Sequence, residues 1–166
     1  MRPVTIAIIA AVMLYAAAAA QAGERTQHPL PNDSTFPIAR AVEVSAGATL
    51  VWHSGMVPRP ANPDAERNSP EYWGDTETQA LSVFARMEES LDDLGLAFSD
   101  VVKMTVFLVA PPGQEGMDFQ GFMRAYTRHF GAEAEQMNLP ARSAVEVAGL
   151  VAPGMLVEVE AIFVRP

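Results

Sequence analysis

Val101-Val102-Lys103-Met104-Thr105-Val106-Phe107-Leu108-Val109 puts Val102, Met104, Val106 and Leu108 on one side and Lys103 and Thr105 on the other. That period of two is a strand, with one side wholly apolar. Pro111-Pro112-Gly113 stops it. Before it, Ala80, Val83, Phe84, Met87, Leu91 and Leu94 recur at helical spacing, Asp75 stands ready to cap the start, and Gly95 ends the run. After it, Phe119, Phe122, Met123, Tyr126 and Phe130 give a second apolar stripe, predicting a helix over about residues 117–130. The central strand is therefore bracketed by two amphipathic helices.

Further outward the pattern becomes β-rich. Residues 40–46 and 49–54 are β-prone on either side of Gly47-Ala48, which predicts a hairpin. Strands are expected near 142–149 and 155–164, joined by Ala152-Pro153-Gly154. The order β-β-α-β-α-β-β suits an α+β, two-layer sandwich with both helices on one face of a mixed sheet. The last strand carries apolar residues on both of its faces, Val157, Val159, Ala161 and Phe163 against Leu156, Ile162 and Val164. A sheet face left bare but not clearly polar implies burial against another subunit. Residues 56–75 hold four prolines and read as a long loop, whose Tyr72-Trp73 pair either lids a cleft or packs within the loop.

Composition bounds the function. The chain has 166 residues, a formal net charge of −9, no cysteine and 49% apolar residues. Its length favours one folded domain. The missing cysteines exclude disulfide frameworks, thiolate metal sites and thiol nucleophiles. An acidic chain with a single lysine, Lys103, is a poor binder of nucleic acid. Residues 1–22 read as a signal peptide: Arg2 is followed by an uncharged stretch from Val4 to Ala20, and Ala20-Gln21-Ala22 offers a cleavage site. The alternative is a retained anchor, since about 17 apolar residues sit at the lower limit of a bilayer span. Cleavage would place the protein in a periplasm or outside the cell, free of the membrane, with an apolar fraction of about 44%. Residues 23–35 are polar and proline-containing and are expected to form a flexible lead-in to a domain spanning 36–166.

The three histidines, His28, His53 and His129, lack metal-ligand spacing, and no nucleophile elbow, phosphate loop or dinucleotide fingerprint is present. His53, within a strand, reads as a hydrogen-bonded structural residue. Charge inside strands is more informative. Arg142 shares a strand face with Ala144 and Glu146, while Glu158 and Glu160 share a face of the following strand. If those strands pair as a hairpin, Arg142 lies near one of the glutamates. It then forms either a structural ion pair or a bidentate clamp for a substrate carboxylate beside a glutamate that positions water.

Pro140-Ala141-Arg142-Ser143-Ala144-Val145-Glu146-Val147 and Val157-Glu158-Val159-Glu160-Ala161-Ile162 resemble the RidA family, also called YjgF/YER057c/UK114. Phe36-Pro37-Ile38-Ala39-Arg40-Ala41-Val42, Ser54-Gly55-Met56-Val57-Pro58, Asp100–Leu108 and Tyr126–Phe130 extend the resemblance across residues 36–166. It implies a chorismate-mutase-like fold, a homotrimer with ligand clefts between subunits, and cofactor-free hydrolysis of reactive enamines and imines to 2-keto acids and ammonia. By the same resemblance Arg142 clamps the substrate carboxylate, Glu158 attends the hydrolytic water, and Ser54 lines the cleft from a neighbouring subunit. Three positions depart from the family pattern. Ile38 stands where a tyrosine is usual, Met123 where an asparagine is, and Ala144 where a cysteine is common. These apolar replacements leave a second reading open, a non-catalytic trimer that binds a small carboxylate or a partner in the same cleft.

Overall fold

In a computed structural model that describes residues 25–166, six strands and three α-helices follow the chain, with a short 3-10 turn at Phe98–Asp100. The order is β1 (Arg25–His28), β2 (Ala41–Val44), β3 (Leu50–Met56), α1 (Pro70–Trp73), α2 (Thr76–Leu94), β4 (Val101–Leu108), α3 (Phe119–Tyr126), β5 (Ala141–Glu146) and β6 (Val157–Val164). The expected signal peptide, residues 1–22, lies outside the described residues. Among those that are described, no helix is long and apolar enough to cross a membrane.

The main sheet is mixed, in the order β3-β6-β4-β5. β6 runs antiparallel to both β3 and β4, and β5 runs parallel to β4. Helices α2 and α3 cover one face, giving the expected two-layer α+β sandwich. The apolar side of β4 builds the core floor: Met104, Val106 and Leu108 are fully buried. Above it, Phe84 of α2 meets Phe98, Phe122, Tyr126 and Phe130 at ring-centroid distances of 5.9 to 6.3 Å. Helix α2 begins and ends where its punctuation predicts. The Asp75 carboxylate accepts from the Thr78 amide at 2.8 Å, and Gly95 closes the helix at φ 65°, a left-handed position that costs glycine nothing.

Two hairpin expectations fail. β2 pairs with β1 rather than β3, with Thr26 opposite Glu43. Residues 25–28 of the supposed flexible lead-in are thus a strand, held by partners that no local periodicity announces. The strands at the C-terminal end do not pair either, because β4 lies between β5 and β6. Turn formers such as Ala152-Pro153-Gly154 reverse a chain without specifying which strand it then joins. The second helix is also shorter than its apolar stripe. Asp118 caps it by accepting from Gly121 N at 2.8 Å, and past Tyr126 the backbone turns through bonds from His129 and Phe130 to the Tyr126 carbonyl. Phe130 remains buried beyond the helix end.

The proline-rich loop is packed down rather than poised over a cleft. Trp73 is buried and its indole N–H donates to the Pro153 carbonyl at 2.8 Å, with Tyr72 set edge-on against it. Arg59 forks onto Glu89 of α2 at 2.8 and 2.6 Å. The buried Gln79 side chain ties three segments together, donating to the carbonyls of Gly74 and Gly154 and accepting from Leu156 N.

Candidate functional site

Arg142 follows the Ala141 start of β5, where Met104 of β4 lies beside it. Met104 points into the core, so Arg142 projects to the helix-covered side of the sheet. There its guanidinium carbon lies 4.1 Å from the Tyr126 ring centroid, 5.3 Å from Phe122, 5.5 Å from Phe36 and 5.7 Å from Phe119. Three of these rings come from α3, spaced to share one face. Nη2 donates to the Met123 sulfur at 3.3 Å, a soft and weak acceptor, and the buried Nη1 has no partner at all. Burial pushes the guanidinium pKa down, although the group stays cationic at any physiological pH.

Tyr126 completes the cage. Its hydroxyl donates to the Pro37 carbonyl at 2.8 Å, and burial pushes its own pKa well up, so the phenol is neutral. Desolvating an ion costs several kcal/mol, whereas each cation–π contact returns about 0.5–2 kcal/mol. The cage therefore holds the cation without neutralising it, and an orphaned buried donor calls for an acceptor. No carboxylate of the described residues meets it.

Glu158 does not supply one. It lies beside Phe107 of β4 and projects to the opposite, uncovered face of the sheet, with a strand between its own and that of Arg142. The sequence-level ion pair between them is absent, for the same reason that the hairpin is. Ser54 is exposed on β3, where the register with β6 shifts between His53 and Met56. The adjoining Gly55 matters sterically: a Cβ there would overlap the Glu158 carboxylate. A glycine inside a strand pattern signals such close approach, so this contact was detectable in the sequence. His53 is structural as expected, with Nε2 3.0 Å from the Ser90 hydroxyl and Nδ1 2.8 Å from the Ser54 carbonyl.

The predicted residues thus fall into two groups. Arg142, Met123 and Ala144 belong to the helix-covered side, with Ala144 two residues along β5 and half-buried against the core. Ser54 and Glu158 belong to the bare side. Ile38 adjoins the first group, since Ala39 bridges to Ala141 and its amide donates to the Pro140 carbonyl at 2.9 Å. It also lines a cavity of about 240 Å³ with Leu30, Phe36, Met137 and Leu139. The aromatic cage was only half visible in the sequence. Phe119, Phe122 and Tyr126 formed a recognisable apolar stripe, but nothing local showed that an arginine enters it.

Comparison with known proteins agrees with this architecture. A family model described as Endoribonuclease L-PSP matches residues 32–165. A RutC family protein of Haemophilus influenzae is 35% identical over 129 residues, 78% of this chain and 87% of the relative. The crystal structure of YyfB from Yersinia pestis, a member of the conserved Rid protein family, is similar in fold. Its TM-score is 0.63 at 24% identity, covering 84% of this chain and 98% of that one. Escherichia coli TdcF, solved with bound serine, has a TM-score of 0.52 at 27% identity over 80% of this chain and 91% of its own. With nearly the whole domain matched by the family model and these relatives alongside, the chain belongs to the RidA (YjgF/YER057c/UK114) family.

Proposed function

We propose that this protein is an imine or enamine deaminase acting on substrates that carry a carboxylate, in clefts formed between the subunits of a homotrimer. One observation carries the reading: a buried guanidinium, ringed by aromatic side chains, with one nitrogen lacking any partner. A planar carboxylate is the natural complement of that fork. Arg142 anchors the substrate and Glu158 of a neighbouring copy approaches the imine carbon. Glu158 accepts a proton from water as the water oxygen bonds to that carbon. That proton is delivered to nitrogen, giving a neutral carbinolamine. Its new hydroxyl then passes a second proton to nitrogen by way of Glu158, C–O becomes C=O as the C–N bond breaks, and ammonia and a 2-keto acid are released. Ser54 hydrogen-bonds at the cleft wall. Orientation supplies most of the rate, because an imine carbon needs little activation.

The separation of Arg142 and Glu158 across the sheet supports the subunit requirement, since one copy cannot bring both to the same substrate. TdcF with bound serine supports a small ligand bearing a carboxylate. A net charge of −9 favours this reading over cleavage of RNA. The residues at 1–22 support export, for which an isolated periplasmic protein beginning at Gly23 would be the evidence.

The test generates 2-aminoacrylate and other 2-imino acids in situ and follows ammonia release. Arg142→Ala is expected to lose about 100-fold or more in kcat/KM, an effect of the size set by a lost charged anchor. Arg142→Lys keeps the charge without the fork and is expected to recover only part of it. No rate above buffer for any imino acid would sink the enzyme. The apolar Ile38, Met123 and Ala144 favour one alternative in that event, a trimer that binds carboxylates without turning them over. Loss of carboxylate binding on Arg142→Ala would identify it.

A further inference from the structure

The cavity beside the Arg142 cage is mostly apolar, with Gln27, Ser34 and Thr35 also in its lining, and is open at its rim. Its walls include Leu30, Phe36, Ile38, Met137 and Leu139, and its volume is about 240 Å³. An apolar cavity of about 150 Å³ already accommodates benzene. Two of the wall residues are hydrophobic side chains left exposed at the surface, Phe36 at 40% and Met137 at 60%. Exposed apolar surface around a concavity marks a place where something apolar is received.

The cavity and the anchor share one residue. Phe36 faces both, lining the cavity while its ring lies 5.5 Å from the guanidinium carbon. The backbone also brings them near each other, because the parallel bridge between Ala39 and Ala141 sets Ile38 beside Pro140, two residues before Arg142. On the cage side, Met123 adds a thioether against the guanidinium. A ligand held at Arg142 by its carboxylate would therefore meet hydrocarbon and aromatic surface in the direction of the cavity.

We propose that this cavity takes the side chain of the substrate, so that the site selects 2-imino acids with branched or aromatic side chains over 2-aminoacrylate. The inference rests on the carboxylate-anchoring reading of Arg142 and adds the chemical class of what is anchored. Phe36 and Ile38 act as specificity-determining residues, and Arg142 contributes equally to every member of the class. Each buried methylene is worth about fourfold in affinity. An isobutyl or benzyl side chain is thus expected to gain tens-fold over methyl.

The 2-keto acids are suitable probes, since they keep the carboxylate and side chain but contain no imine to hydrolyse. Calorimetric titration of the full chain with pyruvate, 4-methyl-2-oxopentanoate and phenylpyruvate should give Kd values that fall at least tenfold from the first to the last. Ile38→Asn should collapse the ratio of phenylpyruvate to pyruvate affinity towards one. Arg142→Ala should weaken all three together. Equal affinities across the series in wild type, still dependent on Arg142, would overturn the side-chain pocket and leave the anchor standing. Affinities that ignore Arg142, or no binding by any of the three, would overturn the anchor and the pocket with it.

Discussion

The two faces of the main sheet are built to different ends. Under the helices, β4 and β6 present Val106, Leu108, Val157, Val159 and Phe163, all fully buried within one chain. On the other face the same strands present Lys103, Thr105, Glu158 and Glu160, joined by Ile162 and by Trp52 of β3, whose side chain is 74% exposed. The first face is finished by local helices. The second combines an exposed tryptophan with charges and looks like half of something. Arg142 points to the finished side and Glu158 to the unfinished one, so the proposed chemistry needs both a folded chain and an assembled one.

The sharpest way to break this contrast is to charge the bare face. Trp52→Glu is expected to convert the assembly wholly to monomer in analytical ultracentrifugation, with imine hydrolysis falling about 100-fold while the circular dichroism spectrum stays native. A Trp52→Glu protein that remains trimeric would show that copies do not meet through this face. On the covered face, Phe84→Ala removes the ring at the centre of the aromatic core and should cost about 3–5 kcal/mol in denaturant unfolding. Gly55→Ala probes the Glu158 approach alone. The added methyl would force the carboxylate aside, lowering kcat about tenfold, an effect of the size of one misplaced general base, with the melting temperature little changed.

The smallest effect belongs to His129, packed at 5.0 Å from both Phe84 and Phe98. Burial lowers its pKa below the ordinary 6.5, outweighing the opposing pull of Glu88. Above that value the ring is neutral in folded and unfolded chains alike. As pH falls through it, the unfolded chain takes up a proton first, so stability declines until the depressed folded value is reached. Replacing His129 by Gln should flatten that part of the stability–pH profile. Unchanged acid sensitivity would remove His129 from the account.

Elements whose cause is local were legible in the sequence. Asp75, Gly95 and the stripe between them set α2 residue by residue, and the alternation of β4 fixed which side faces the core. Pairing was another matter. Gly47-Ala48 and Ala152-Pro153-Gly154 announce that the chain turns, yet β2 goes to β1 and β5 goes to β4, choices that the turn residues do not specify. The candidate site divides the same way. Arg142 stood out as a charge in an apolar strand, and the family resemblance named its role. That Phe36, Phe119, Phe122 and Tyr126 converge on it follows only from the parallel pairing that brings β5 under α3.

The position of β6 also governs when this sheet can form. It is the last of the six described strands in chain order, but it sits inside the sheet, with Leu50 of β3 opposite Val164 and Val157 opposite Leu108 of β4. Until it arrives, β3 has no partner in this sheet and one edge of β4 is open. A topology dominated by such distant contacts folds slowly, because the chain closes its largest loop before the pairing can reward it. The nascent domain must therefore remain unfinished until β6 has emerged to pair with both neighbours.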